Sequence, residues 1–148
     1  MARLEVALAY RTLRSTGDLV LHAELELEVR TNRGIWEPLT FRVDSGTEMT
    51  TMPASTAKDL DLPIPKTPTR GLALHGHEVR RGILRARIPG LDATEYAFPC
   101  SSLGDPDVPM KDPRNLLGLT GVIDKLRLTF DGTPSGMAQF GVLIVETM

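Results

Sequence analysis

Alternation of apolar and polar residues with a period of two is the dominant pattern of the chain. In the clearest case, LHAELELEVR, the odd positions from Leu21 to Val29 are apolar and the even positions from His22 to Arg30 are polar. This period places every apolar side chain on one face of a strand, whereas it would scatter them around a helix. The segment is therefore predicted to be a strand, despite the good helix propensity of leucine and glutamate.

Further short segments follow the same pattern. Residues 39–43 alternate after the turn signal TNRG, so 21–43 is predicted to be a hairpin. The other predicted strands are LEVALAY at 4–10, EMTTM at 48–52, two strands within 71–90, one after residue 126, and AQFGVLIVE at 138–146. Short helices are predicted in PASTAKDLDLP at 53–63 and in LTGVIDKL at 119–126.

Glycine and proline, with 13 and 11 copies, separate these short segments. The 148 residues suffice for one domain with a core of its own, and no composition shift divides the chain. We therefore expect a single mostly β domain spanning 1–148, with one or two short helices. The proline- and aspartate-rich residues 99–114 are predicted to form a long surface loop.

Charge and cysteine content narrow the functional classes. The formal net charge is −2, which favours neither nucleic acid nor a membrane as a partner. Cys100 is the only cysteine, which is typical of a reducing compartment. The N-terminal residues show no unbroken apolar segment of a secretion signal, and no apolar run could cross a bilayer. These features predict a cytoplasmic protein.

The candidate chemistry begins where the strand at 39–43 runs into Asp44-Ser45-Gly46-Thr47. Asp-Ser-Gly is good turn chemistry, so a plain turn is the simplest interpretation of these residues. A second signal lies about 70 residues later, where Leu116-Leu117-Gly118 precedes another predicted strand. The two signals in this order favour a functional interpretation over an isolated turn.

This order resembles the retropepsin-like aspartic proteases, the single-lobe relatives of pepsin, over roughly residues 19–131. The resemblance implies a retropepsin-like closed β-barrel or sandwich in which Asp44 is the catalytic carboxylate. It also implies that Ser45, Gly46 and Thr47 support the catalytic loop. The apolar strand of Leu116, Leu117 and Gly118 would pass behind that loop.

The family's flap falls in the predicted hairpin around Leu74, His75, Gly76 and His77, which would cover the substrate. The two histidines of HGHE also project from one strand face, as metal ligands would, but no third ligand with recognisable spacing accompanies them. A flap tip or an exposed turn is therefore favoured over a metal site. The resemblance implies no metal and no other cofactor.

The chain holds one Asp-Ser-Gly copy, whereas hydrolysis by a carboxylate dyad needs two. The resemblance therefore implies a two-fold homodimer that acts on a peptide or protein substrate. Gly46 would let the two backbones approach at the axis. In the family the termini often form the dimer sheet, so LEVALAY and VLIVE are the interface candidates.

Two other hypotheses stay open at the level of sequence. The chain could be a non-catalytic dimerisation or binding module on the same fold. It could also be an unrelated small β-barrel in which residues 44–47 form only a turn.

Overall fold

The computed structural model describes residues 1–13, 16–65, 67–69, 73–74 and 76–148. His75, one of the predicted flap residues, lies outside the described residues. The described part contains one helix, α1 (Ala54–Asp59), and eleven strands. The strands are β1 (Arg3–Ala7), β2 (Ala9–Thr12), β3 (Leu19–Arg30), β4 (Trp36–Val43), β5 (Thr50–Pro53), β6 (Ala73–Leu74), β7 (His77–Arg87), β8 (Tyr96–Leu103), β9 (Leu116–Leu117), β10 (Leu126–Asp131) and β11 (Val142–Thr147).

The predicted hairpin is present as the antiparallel pair β3–β4, whose register runs from Ala23 opposite Val43 to Arg30 opposite Trp36. Ala23 and the three alternate apolar residues after it are buried, as the period of two predicts. Leu21 is the exception, with 43% of its surface exposed. At this end β3 pairs with β2, whose four residues are all exposed, so the core does not extend this far.

Eight strands form one sheet in the order β2-β3-β4-β9-β5-β8-β7-β6. An additional pairing of β3 with β7, through Glu28–Arg87 and Val29–Ala86, joins the two sides of this sheet. The sheet thereby closes into a barrel of six strands, with β2 and β6 outside the ring. The mostly β, closed-barrel architecture predicted from the sequence is confirmed.

The barrel interior is a continuous apolar core. Its largest fully buried side chains include one from each of β3, β4, β5, β7 and β8: Leu25, Phe41, Met52, Leu84 and Phe98. Aromatic and branched side chains from opposite strands thus fill the barrel, as expected when alternate residues point inward. No helix among the described residues is long and apolar enough to cross a membrane.

The prediction of a single strand over 4–10 is wrong, because the chain changes sheets at Leu8. Residues before it form β1 in a three-stranded sheet of order β1-β11-β10, and residues after it form β2 of the larger sheet. Leu8 is buried between them, and its N–H donates to the Gly141 carbonyl at 2.9 Å. The uninterrupted alternation of LEVALAY carries no signal of this change.

The helix predicted after Pro53 is α1, and the one predicted over 119–126 is replaced by hydrogen-bonded turns. Val122 and Ile123 both donate their N–H groups to the Leu119 carbonyl, which closes one turn. Gly121 has φ +74°, outside the range of a right-handed helix, so regular helix does not continue through it.

The long loop begins at residue 104 rather than at 99, because β8 extends to Leu103. Cys100 pairs with Thr50 of β5 on one side and with Gly82 of β7 on the other. Ser101 and Ser102 are buried inside this arrangement. Their polarity suggested a loop, but pairing on both sides provides partners for their backbone groups.

Candidate active site

Asp44 follows the last residue of β4, and its position is fixed by the strand that lies beside it. β4 and β9 are parallel, with Arg42 opposite Leu116 and Val43 opposite Leu117. The Asp44 N–H donates to the Leu117 carbonyl at 3.1 Å and so extends this pairing by one residue. The two sequence signals that are about 70 residues apart are therefore in direct contact.

The loop after Asp44 orients its carboxylate. The Gly46 N–H donates to Asp44 Oδ1 at 2.9 Å, and the Thr47 N–H donates to the Asp44 carbonyl at 3.2 Å. Ser45 and Gly46 are exposed, whereas Asp44 and Thr47 are partly buried. A carboxylate that is held by a backbone N–H and still reaches solvent is accessible to a water molecule or a ligand.

The segment after β9 passes directly behind this loop. The Leu119 N–H donates to the Thr47 carbonyl at 3.1 Å, and the Thr120 N–H donates to the Glu48 carbonyl at 2.8 Å. Gly118 lies at the closest approach, where a Cβ atom would be 2.5 Å from the Met49 carbonyl carbon. Only glycine fits at this point without displacing the backbone.

Thr50 is a supporting residue that sequence reasoning missed. It is fully buried at the start of β5, and its Oγ1 accepts the Gly118 N–H at 3.1 Å. A buried hydroxyl that satisfies a buried backbone donor stabilises the close packing of the two segments. The threonines of EMTTM were the available signal, because polar residues are unusual in a strand whose four residues are all buried.

Of the predicted flap residues, Leu74 and His77 pair with each other where β6 and β7 form a hairpin, and Ala73 pairs with Glu78. Gly76 has φ +78°, as a tight hairpin turn requires. His77 lines a cavity of about 510 Å³ together with Gly104 and Met110. His77 and Glu78 therefore lie against the loop that follows β8, and the Gly104 N–H donates to the Glu78 carbonyl at 2.9 Å.

The Cys100 thiol and possible metal ligands are weaker candidates for a functional site than Asp44. Burial raises the pKa of the Cys100 thiol to about 12, so at neutral pH the thiol is protonated and a poor nucleophile. Within the described ranges, no group of three histidine, cysteine, aspartate or glutamate side chains is placed to hold a metal ion.

His22 is a second residue whose environment the sequence did not reveal. Alternation placed it on the polar face of β3, yet it is only 9% exposed. Among the described residues neither ring nitrogen has a hydrogen-bond partner, and the nearest carboxylate oxygen, Glu24 Oε1, is 3.6 Å from Nε2. Burial, followed by the charge of Arg42, lowers the pKa of His22.

Together, the closed barrel, the Asp44 loop and the strand behind it define the retropepsin-like fold. No family model and no curated protein sequence matches the chain. Among solved structures, the chain is similar to a retropepsin-like aspartic protease from Rickettsia conorii, with a TM-score of 0.55 and 15% sequence identity. The match covers 97% of this chain and 89% of that one. This likeness establishes the fold.

Proposed function

We propose that the protein is an aspartic endopeptidase and that Asp44 supplies its catalytic carboxylate. The observation that carries the proposal is the position of Asp44, held between the Leu117 carbonyl and the Gly46 N–H at the end of a barrel strand while remaining open to solvent. The likeness to a solved retropepsin-like aspartic protease supports it.

In this mechanism two carboxylates hold one water molecule between them. One carboxylate accepts a proton as the water oxygen attacks the peptide carbonyl carbon, and the other, protonated, donates to the carbonyl oxygen. The resulting tetrahedral intermediate collapses when a proton passes to the amide nitrogen and the C–N bond breaks. The products are a carboxylic acid and an amine, and no covalent bond to the enzyme forms.

One chain supplies one such carboxylate, so the proposal requires a second copy across a two-fold axis. The exposure of Ser45 and Gly46 supports this arrangement, because a partner could approach the loop closely. β1 and β11, the interface candidates, already pair with each other within one chain. In the described sheet β1 and β10 are its outer strands, so their free edges are the places where a partner strand could add.

The test is cleavage of an unstructured protein at acid pH, with and without pepstatin. We expect the wild-type protein to cleave and pepstatin to inhibit it. Asp44→Asn should abolish cleavage, because an amide of nearly the same shape cannot act as the base. Asp124→Asn, which changes an exposed aspartate in the turns after β9, is the matched control and should remain active.

Cleavage by purified Asp44→Asn protein would contradict the assignment. Absence of cleavage by a wild-type protein that forms a stable dimer would instead favour a non-catalytic dimerisation module on this fold.

A further inference from the structure

A polar groove of about 490 Å³ lies on the outer face of the β3–β4 hairpin, between β2 and the loop that precedes β9. We call it the basic groove. The side chains relevant here are three arginines, two carboxylates and an amide: Arg11, Arg42, Arg114, Glu24, Asp112 and Asn115. Its arginines outnumber its carboxylates by three to two, so the groove favours an anionic occupant.

The basic groove lies beside Asp44. Arg42 lies on β4, two residues before Asp44, and both are partly buried, whereas Val43 between them is buried in the core. Alternation therefore places Arg42 and Asp44 on the same face of the strand. Two residues of strand span about 7 Å, which is also the spacing of alternate side chains in an extended peptide. A substrate bound at Asp44 would thus place a neighbouring side chain at Arg42.

The ion pairs within the groove leave Arg42 as its uncompensated charge. Arg11 pairs with Glu24, and Arg114 Nη2 lies 2.8 Å from an Asp112 carboxylate oxygen. Glu24 is opposite Arg42 in the strand register, but its carboxylate is engaged by Arg11. In the part of the chain that the structure describes, no carboxylate is within ion-pair distance of Arg42.

A partly buried guanidinium without a counter-charge binds a carboxylate well, because it offers a planar pair of donors and has already lost part of its hydration. We propose that the basic groove receives an aspartate or glutamate side chain of the peptide substrate close to the scissile bond, and that Arg42 selects it. This inference rests on the proposed function, since it assigns a substrate class to the same site.

The test compares peptides that are acetylated and amidated at their ends and that differ only by glutamate, glutamine or lysine at one position flanking the cleaved bond. We expect the wild-type kcat/KM to be higher for the glutamate peptide than for the glutamine peptide by about tenfold. Arg42→Gln should bring the ratio of these two kcat/KM values close to one, and Arg42→Glu should transfer the preference to the lysine peptide. Arg33→Gln, a change in the exposed turn between β3 and β4, is the matched control and should keep the wild-type ratio.

A second measurement separates this inference from the proposed function. The same peptides are titrated against Asp44→Asn protein, which should bind without cleaving, and against the protein that carries Arg42→Gln as well. Tighter binding of the glutamate peptide, lost with Arg42→Gln, supports the groove assignment even if the wild-type protein cleaves nothing. If tighter binding appears only with a glutamate peptide whose C-terminus is free, the groove binds a terminal carboxylate. That result would overturn the side-chain assignment.

Cleavage by wild-type protein with equal kcat/KM for the glutamate and glutamine peptides would overturn the inference and leave the protease assignment intact. A preference for glutamate that survives Arg42→Gln would overturn the role of Arg42. If the peptides are neither cleaved nor bound, both proposals fail.

Discussion

Gly118 is the residue on which the packing behind the Asp44 loop depends most directly. A Cβ at this position would be 2.7 Å from the Met49 carbonyl oxygen and 2.9 Å from that of Thr47. These contacts are with backbone atoms, which cannot rotate away as a flexible side chain could. The clash would have to be relieved by displacing the loop that carries Asp44.

We therefore expect Gly118→Ala to lower the free energy of unfolding by roughly 1–3 kcal/mol, as overpacking of a close contact does. Any cleavage activity should fall as well, because the loop that holds Asp44 shifts. Urea denaturation at one protein concentration measures the first effect. Gly132→Ala is the control, since a Cβ there meets nothing within 4 Å. Equal stability of the two variants would contradict the close contact.

His22 predicts how stability depends on pH. Burial, followed by the charge of Arg42, lowers its pKa in the folded protein. The unfolded chain therefore binds a proton at a pH where the folded protein does not. The contribution to stability is complete above the ordinary histidine pKa of about 6.5 and is lost as the pH falls from there through the lower folded value.

We expect the free energy of unfolding to decrease between pH 7.5 and pH 5, and to decrease less in His22→Gln, whose side chain does not titrate. The difference in slope is bounded at about 1.4 kcal/mol per pH unit for one proton. His77→Gln, which replaces an exposed histidine, is the matched control and should follow the wild-type curve. Identical slopes for the wild-type protein and His22→Gln would show that His22 binds protons equally in both states.

At the scale of single residues, the sequence predicts the contacts that motifs and local alternation indicate. The contact between the Asp44 loop and Leu117 was implied by the family resemblance, which rests on the two motifs and their order. The contacts of Thr50 and the proposed role of Arg42 were not predicted, because both depend on which distant strands become neighbours. Alternation predicted that His22 lies on the polar face of β3. It could not predict that His22 is buried, since burial depends on which other residues pack against that face.

At the scale of secondary-structure elements, the hairpin of β6 and β7 is the one whose proposed function can be tested most directly. Its strands pair with each other through two residue pairs, and β7 continues into the barrel. The sequence predicted the hairpin from its glycine and its alternation, and the proposal that it is the flap comes from its place between the two motifs.

If the hairpin covers the substrate, its amides should be protected when a ligand binds. We expect amide hydrogen exchange of residues 76–79 to slow on saturation with pepstatin or with an uncleaved peptide. The turn at 31–35, between β3 and β4, is the internal control and should be unaffected. Unchanged exchange at 76–79 under saturating ligand would assign the flap to another segment.

Elements were predicted best where one face is core and the other solvent, as in β3 and β4. Prediction was weakest for β8, where buried Ser101 and Ser102 resemble loop residues in the sequence. It was also incomplete for LEVALAY, because a strand that changes sheets keeps its period of two. Both errors have one physical cause: pairing with distant strands overrides the local pattern.

At the scale of the whole molecule, the central claim is that Asp44 is half of a catalytic pair. One chain folds into one closed barrel with one Asp-Ser-Gly loop. The likeness to a solved structure extends over 97% of the chain. A two-fold dimer is the arrangement that would bring two copies of the loop together.

The most direct test of this claim is a mixing experiment. A fixed amount of wild-type protein is equilibrated with increasing Asp44→Asn protein, and cleavage of an excess of substrate is measured. If each site needs two Asp44 carboxylates, mixed dimers are inactive, and about a ninefold excess of the variant should reduce activity to about one tenth by mass action. The same excess of an unrelated folded protein is the control. Activity that stays at the wild-type level after subunit exchange would contradict the account, because each chain would then act alone.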